Sequence, residues 1–207
     1  ENIMTTEKYE RRDFGVEQFE VRDTEEGQVI SGMALPFNRD SQDLGGFVER
    51  IDSRAVRRTL ENSDVVMLWQ HDSTDPITRE STGLKLEARD TGVFFEANSS
   101  DFTDRQLDLL RRGVVKQMSF GFITISDDWE KNSEPVVRTL LDIDLREISP
   151  VTWPAYNQTS VAVRSAESVG ITLVTDDTDA SDEVPQAKPD NTMQETKLKL
   201  LTVDMDV

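Results

Sequence analysis

Short apolar and alternating segments recur along most of the chain, and turn-forming residues separate them. Alternation with a period of two is typical of half-buried β-strands, and short apolar runs bounded by turns are typical of buried ones. DTEEG and DDWEKNSEP are predicted turns, and NRDSQDLGGF is a predicted loop. The predicted strands are QFEVR, QVISGMALPF, DVVMLWQ, VVKQMSFGFITIS, VVRTLLDIDLREIS and TSVAVRS, with a hairpin in GLKLEARDTGVFFEANS.

Two further segments have helical periodicity and recognisable ends. IDSRAVRRTLEN offers Asp52 or Ser53 as an N-cap, and SDFTDRQLDLLRRG offers Asp101 or Thr103, with Gly113 closing the helix. Seven or eight short strands with mostly hairpin-length connections, together with two helices, predict a mainly β fold with flanking helices. We expect a closed antiparallel β-barrel with the helices outside.

The last part of the chain differs in composition from the rest. Residues 165–207 carry ten acidic and three basic residues, and TDDTDASDEVPQAKPDNTMQET contains almost no large apolar side chain. Such a segment cannot bury enough apolar surface to fold. We therefore divide the chain into an N-terminal arm (1–14), a β-barrel domain (15–165) and an acidic, disordered tail or linker (166–207), with a boundary near 164–170.

Composition excludes several functional classes. The net charge of −18 disfavours binding to the phosphates of nucleic acids. No apolar run approaches the roughly 18 residues of a membrane-spanning helix, and the first residues lack the apolar centre of a signal peptide. We therefore expect no membrane association and a cytoplasmic protein. The chain has no cysteine and one histidine, which excludes thiolate metal sites, a cysteine nucleophile and a two-histidine zinc site.

His71 and Ser119 are the first candidates for catalytic chemistry. His71 ends the strand predicted in DVVMLWQ, where it is either a general base or a half-buried histidine bonded to the backbone. Ser119 lies in QMSFGF, which lacks the G-x-S-x-G motif of α/β-hydrolases. Gly121 shares its strand face and would let a substrate or another backbone approach closely. The alternative is that Ser119 is a small residue at a barrel bend.

LLDIDLREIS supplies a candidate acid, Glu147. Regular alternation places Leu141, Ile143 and Leu145 on one strand face and Asp142, Asp144 and Arg146 on the other. Glu147 then falls on the apolar face, where a carboxylate is costly unless a partner such as an imidazolium is present. The alternative is a strand that ends or bulges at Glu147, so that its side chain reaches solvent.

These three residues support the hypothesis of a hydrolase with a catalytic triad. Ser119 would be the nucleophile, His71 the general base and acid, and Glu147 the group that orients the imidazole and stabilises its charge. A triad is defined by geometry and not by sequence order, so spacing alone does not establish it. We expect no cofactor for this chemistry.

Six segments in order resemble the prohead maturation serine proteases of tailed bacteriophages, over roughly residues 15–165. The segments are VISGMALPFN, GGFVERIDSRAV, LWQHD, GLKLEARDTGVFFEA, LLRRGVVKQMSFGF and REISPVTWPAYNQTSVAVRS. That family is related in fold to the herpesvirus assembly protease, so the resemblance implies a closed β-barrel ringed by helices. It also implies that His71 of QHD and Ser119 of MSFGF are catalytic. The herpesvirus enzymes use a second histidine, which this chain lacks; Glu147 is its natural substitute, and Asp144 ranks second because it is expected on the opposite face.

The resemblance also implies a function in head maturation. Members of the family act inside the procapsid, in the bacterial cytoplasm, where they remove the scaffolding segment of the major capsid protein, degrade the internal scaffold and often cleave themselves. The capsid and scaffold proteins would be the partners, and the herpesvirus dimers make a homodimer an expectation by analogy. The tail would be a linker to a scaffold-like or capsid-targeting region and an autocleavage site, or simply a disordered end. Backbone N–H groups of TWPAYN would form the oxyanion hole.

Two other functions stay open at this point. A non-catalytic capsid assembly or scaffold module could keep a protease-like barrel while His71 and Ser119 stand apart or are blocked. A generic acidic β-barrel binding domain would explain the composition but not the six ordered segments.

Overall fold

Strands dominate the computed structural model, which describes residues 9–14, 19–25, 27–153 and Gly170. The predicted strand TSVAVRS and the acidic tail, apart from Gly170, lie outside the described residues. The helices are α1 (Arg57–Asn62) and α2 (Asp104–Arg111), and a 3-10 turn, Ser99–Asp101, precedes α2. The strands are β1 (Tyr9–Phe14), β2 (Glu20–Thr24), β3 (Gly27–Pro36), β4 (Phe47–Ile51), β5 (Val66–Trp69), β6 (Asp72–Arg79), β7 (Lys85–Arg89), β8 (Gly92–Asn98), β9 (Gln117–Glu130) and β10 (Val136–Val151).

The strands form two sheets. The larger sheet has six strands in the order β1-β9-β10-β5-β6, and β4 also pairs with β10. β10 is antiparallel to β9 but parallel to β4 and β5. At 16 residues it is long enough to pair with β4 along its first part and with β5 near its end, on the edge that β9 does not use. The smaller sheet has four antiparallel strands in the order β2-β3-β8-β7.

The prediction of a mainly β fold with few helices is confirmed, but the described strands do not form the closed antiparallel barrel that the sequence predicted. Among the described strands no ladder joins the two sheets, and the larger sheet is mixed. Short connections predict antiparallel neighbours, which is why the sequence favoured a barrel. β4 and β5 instead pair with β10, a strand distant in sequence, and no local pattern specifies the direction of such a pairing.

The main hydrophobic core contains side chains from both sheets and from α2, and a smaller cluster forms around Leu44 and Phe47. Each large apolar side chain that is fully buried contributes about 1.5–3 kcal/mol to stability. The main contributors are Ile30, Leu35, Met67, Phe95, Leu107, Leu110, Phe120, Phe122, Leu145 and Ile148. The core side chains of β9 alternate with Ser119 and Gly121, so these two residues lie on the opposite face of the sheet. We call this opposite face of β1, β9 and β10 the site face.

The two helices begin differently. α2 begins as predicted, because the Thr103 hydroxyl accepts from the Gln106 backbone and the Gln106 side chain caps the Thr103 backbone in return. Gly113 follows α2 with a φ of 67°. The N-cap of α1 is Val56, which makes no side-chain cap, and Asp52 instead accepts from a backbone N–H in the preceding turn. Within the described part of the chain, neither helix is long and apolar enough to cross a membrane.

Residues 9–14, which the sequence analysis placed in an N-terminal arm, form the edge strand β1 of the larger sheet. β1 pairs antiparallel with β9, and Tyr9 lies opposite Ile123, Arg11 opposite Gly121 and Asp13 opposite Ser119. Side chains directly opposite each other point to the same face, so alternate residues of β1 lie beside Ser119.

The other face of β1 carries charged groups into the protein, where they form a buried ion cluster of Glu10, Arg12, Glu49 and Arg138. Each of the four residues is at most 3% exposed. Arg12 donates to Glu10 at 2.7 Å and to Glu49 at 2.8 Å, while Arg138 donates to Glu10 at 2.9 Å and to Glu49 at 3.0 Å. Burial raises the pKa of Glu10, but the charge and hydrogen bonds of Arg138 outweigh burial and lower this pKa to about 2.

Candidate active site

His71 lies at the tip of the β5–β6 hairpin, in a left-handed backbone conformation. Gln70 and His71 are the two turn residues, with φ of 55° and 62°, which side chains disfavour. Gln70 anchors the turn to the end of β10. Its side chain donates to Thr152 Oγ1 at 3.0 Å and accepts from the Thr152 backbone at 3.1 Å, and its backbone donates to Pro150 O at 3.2 Å. These bonds offset the conformational cost and fix the position of the imidazole.

His71 is hydrogen-bonded to the predicted acid, Glu147. The distance from His71 Nδ1 to Glu147 Oε1 is 2.7 Å, and the two side chains are 11% and 5% exposed. Burial raises the pKa of Glu147, but the hydrogen bond and charge of His71 outweigh it, and the net pKa is lowered. An ionised carboxylate only accepts hydrogen bonds, so in the neutral imidazole Nδ1 carries the proton and Nε2 has the lone pair. This is the tautomer that a general base requires.

Three further residues surround the Glu147 carboxylate. The Tyr9 hydroxyl donates to Oε1 at 2.9 Å, Ser149 Oγ donates to Oε2 at 2.5 Å, and Arg11 Nε lies 3.7 Å from Oε1. Burial and the neighbouring charge of Glu147 raise the pKa of Tyr9 to about 12, so its hydroxyl stays protonated and can donate. Glu147 is therefore held from both of its oxygens, which fixes the plane of the carboxylate against His71.

Ser119 shares the site face with this group but is not bonded to His71. Its cross-strand neighbour on β10 is Ser149, and the next residue on its face, Gly121, lies opposite Glu147. Ser119 is completely buried, and its Oγ donates to the carbonyl oxygen of Arg12 on β1 at 3.0 Å. His71 Nε2 is also buried, and it has no hydrogen-bond partner among the described residues. The structure thus joins His71 to Glu147 and leaves Ser119 bonded to β1.

Gly121 is the residue that allows the site to be this compact. A Cβ atom at this position would lie 1.8 Å from the Tyr9 hydroxyl and 2.7 Å from Glu147 Oε1. The sequence analysis expected a close approach over Gly121, by a substrate or a backbone. In the structure it is the Tyr9 side chain that makes this approach.

Comparisons with known proteins cover most of the chain. The model of the caudovirus prohead serine protease family matches residues 17–172, about three quarters of the chain.

The chain belongs to the caudovirus prohead serine protease family.

Two known proteins are similar to this prohead protease family member over comparable lengths. The prohead protease of Escherichia phage T5 is 28% identical over 142 residues, which are 67% of this chain and 63% of that protein. The chain thus spans a little under two thirds of the length of this relative. The solved structure of the bacteriophage T4 capsid assembly protease is 11% identical, covers 69% of this chain and 97% of its own, and has a TM-score of 0.44.

The Glu147 side chain lies on the site face because the pairing of β10 with β9 is irregular just before it. The register against β9 shifts between Leu145 and Glu147, so that Leu145 pairs with Phe122 and points into the core while Glu147 pairs with Gly121. The expectation that Glu147 interrupts the apolar face is therefore wrong. The strand does bulge, as the alternative held, but the Glu147 side chain remains buried.

The same shift corrects the position of Asp144. Asp144 pairs with Ile123 and lies on the same face as Glu147, not on the opposite face as regular alternation predicts. Its Oδ2 accepts from Arg146 Nη2 at 2.6 Å. Of the two candidate acids, Glu147 is the one that contacts His71.

The structure adds Tyr9, Arg11 and Ser149 to the residues that the sequence analysis identified. Ser149 could have been found from sequence, because it follows Glu147 by two positions on the same strand face. No sequence pattern indicated a role for Tyr9 and Arg11, and their segment was assigned to an arm outside the domain. Most of TWPAYN, the stretch expected to supply the oxyanion hole, lies outside the described residues. Within the described ranges no group of three or more His, Asp or Glu side chains could hold a metal ion.

Proposed function

We propose that this chain is a serine endopeptidase of phage head maturation, with Ser119 as the nucleophile, His71 as the general base and acid, and Glu147 as the orienting carboxylate. The observation that carries the proposal is the 2.7 Å bond between His71 and Glu147 on the sheet face that also bears Ser119. Membership of the prohead serine protease family supports the same chemistry independently.

The proposed reaction is acyl transfer in two halves. Ser119 Oγ attacks the carbonyl carbon of the scissile peptide while its proton passes to His71 Nε2. His71 then protonates the leaving amine as the C–N bond breaks, which leaves an ester on Ser119. Water attacks this ester, again giving a proton to His71, and the carboxylic acid product departs as the proton returns to Ser119. Glu147 stabilises the imidazolium in both halves and keeps Nε2 directed at the reacting groups.

The proposed substrates are the scaffolding segment of the major capsid protein, the internal scaffold, or both, and the proposed place of action is the procapsid interior in the host cytoplasm. Self-cleavage in the acidic segment after Arg164 and a homodimeric state belong to the same proposal. Family membership and the similarity to the T5 prohead protease support this assignment.

A non-catalytic assembly module is the second candidate, and one observation favours it. Ser119 is completely buried and bonded to Arg12 O, with no hydrogen bond to His71. A permanently blocked serine of this kind would suit a scaffold that kept a protease-like fold. Catalytic hydrogen bonds are often long or misaligned before substrate binds, so an enzyme at rest can share this geometry.

Co-expression with the major capsid protein separates the two candidates. We expect the wild-type chain to generate new capsid protein termini, and Ser119→Ala to abolish them. Ser126→Ala, an exposed serine on the same strand, is the matched control and should leave processing intact. Mass spectrometry of the particles reads the termini directly. Processing that continues in Ser119→Ala would refute the assignment of the nucleophile, and no processing by the wild-type chain would favour the assembly module.

A further inference from the structure

β1 lies directly against Ser119. Ser119 is completely buried, its Oγ donates a hydrogen bond to Arg12 O on β1, and Asp13 of β1 pairs with it across the sheet. Rotating the hydroxyl away from Arg12 O would break this hydrogen bond, but it would not open a path to Ser119. A polypeptide can reach Ser119 only if a neighbouring segment moves.

β1 is also the strand whose side chains fill the rest of the site. Tyr9 and Arg11 lie beside Glu147 Oε1, the oxygen that His71 contacts, and the Tyr9 ring occupies the space over Gly121. One six-residue strand thus accepts the hydrogen bond of the proposed nucleophile and covers the orienting acid. A strand outside the site would be expected to do neither.

We propose that the edge of β9 beneath β1 is the docking surface for an extended peptide substrate, and that β1 is an inhibitory strand that must leave this edge before Ser119 reacts. The inference rests on the proposed function, since it concerns access to the same serine.

The occupant of this surface is defined by backbone chemistry. β1 pairs with β9 over six consecutive residues, from Tyr9 opposite Ile123 to Phe14 opposite Met118. An extended substrate can make the same main-chain hydrogen bonds by adding itself to the sheet edge. Exchange of β1 for a substrate strand therefore conserves the main-chain bonds of β9, and the side chains decide which strand is bound.

The buried ion cluster allows β1 to leave without stranding a lone charge. Glu10 and Arg12 both belong to β1 and bond each other at 2.7 Å. Glu49 and Arg138 remain with the domain and bond each other at 3.0 Å. Separation therefore leaves an acid paired with a base on each side, and Arg138 also keeps its bond to Asp127 at 2.7 Å. No buried ion is left without an opposite charge, which would be far more costly.

Tethering sets the condition under which a substrate can compete. A segment joined to its binding surface by a short connection acts at an effective concentration of about millimolar order. Dilute peptides would therefore leave β1 in place, and densely packed substrate segments would displace it. Such a strand would keep the protease inactive until its substrates are concentrated around it, as in an assembling shell.

A reversible disulfide between β1 and β9 tests the inference. The chain has no cysteine, so Tyr9→Cys with Ile123→Cys introduces the only thiols. The two positions lie opposite each other, and directly paired strand residues have Cα separations of about 4.5–5.5 Å, within the range of disulfides. The full chain is treated with a fluorophosphonate, which loses fluoride as Ser119 Oγ bonds to phosphorus, and labelling is followed by intact mass.

We expect oxidation of the double variant to abolish labelling of Ser119 and a reducing agent to restore it. Tyr9→Phe is the control for loss of the tyrosine hydroxyl alone, and it should show no response to oxidant or reductant. Equal labelling of the oxidised and reduced forms would overturn the inference, because β1 would then not need to leave.

Hydrogen exchange of the unmodified full chain supplies a readout that does not depend on activity. We expect β1 amides to exchange through local opening, faster than the β10 amides, and the disulfide to suppress this difference. Exchange of β1 only together with β10 would overturn the inference. Local opening of β1 without labelling of Ser119 in any form would instead overturn the proposed function, so the two failures are distinguishable.

Discussion

The two faces of the larger sheet treat buried charge in opposite ways. On the core-facing side, the buried ion cluster balances two carboxylates with two guanidinium groups, and each ion contacts two others of the cluster. On the site face, Glu147 is satisfied from several directions, but Nε2 of His71, the base that it holds, has no partner among the residues that the structure describes. A fully satisfied network can only stabilise a structure, whereas a buried atom with an unused lone pair can accept a proton. The comparison assigns stability to the first face and chemistry to the second.

Replacing His71 should abolish most of the reactivity on the site face and leave the ion cluster intact. This is the largest effect that we expect. His71→Ala should slow fluorophosphonate labelling of Ser119 by about 10⁴-fold, because the serine loses the proposed base that accepts its proton. The free energy of unfolding should fall by no more than about 2 kcal/mol, the cost of losing a charge-assisted hydrogen bond. Asp72→Asn, an exposed neighbour, is the control for both measurements. Labelling near the wild-type rate would mean that another base serves.

Replacing a member of the ion cluster should instead lower the stability of the fold. Arg138→Met leaves Glu10 and Glu49 with Arg12 as their remaining partner within the cluster, and removing one member of a buried ion network costs about 3–5 kcal/mol. Urea unfolding measures this loss. Arg146→Met, on the same strand, breaks the exposed pair with Asp144 and should cost less than about 1 kcal/mol. Equal losses in the two variants would show that the cluster does not stabilise the fold.

The same difference between the faces explains which strands the sequence predicted. Strands whose buried faces are apolar, such as β3, β8 and β9, were found from their hydrophobic pattern. β1 was missed because its buried positions are Glu10 and Arg12, and β6 because it is polar, mostly exposed and contains Pro76. A strand that buries paired ions, or an exposed edge strand, has no alternating apolar pattern in its sequence.

The candidate site shows a second limit of sequence analysis. His71, Ser119 and Glu147 were selected from sequence, and the structure joins two of them, yet the argument that selected Glu147 assumed regular alternation. A register shift reverses the faces after Leu145, and such a shift depends on pairing with β9 and on the contacts of α1. Thr59 of α1 accepts from the Leu145 backbone at 3.0 Å and donates to Ile143 O at 2.9 Å beside this shift. Contacts between residues more than eighty positions apart have no local signature.

Acid should weaken the core-facing side in a defined pH range. The pKa of Glu10 is lowered to about 2 in the folded chain, against an ordinary value near 4.5. A lowered pKa contributes stability above the unfolded value, and that contribution is lost as the pH falls from about 4.5 to about 2. The loss amounts to about 3 kcal/mol for this group. Urea unfolding across this range should show a shallower pH dependence in Glu10→Gln than in the wild-type chain, and parallel curves would contradict the assignment.

The smallest effect concerns Ser149, which touches neither Ser119 nor His71 by a hydrogen bond and acts only on Glu147. Ser149→Ala should slow labelling about tenfold, since one charge-assisted donor to the carboxylate is lost. Ser149 is also among the groups that lower the pKa of Glu147, so in the variant Glu147 should take up a proton at higher pH. The midpoint of Glu147 protonation, followed by NMR of its carboxyl carbon, should therefore move to higher pH, which a purely structural defect would not cause. Ser126→Ala should leave the rate and this midpoint unchanged. A slower reaction with an unmoved midpoint would make Ser149 a packing residue, and the carboxylate would then depend on Tyr9, Arg11 and His71.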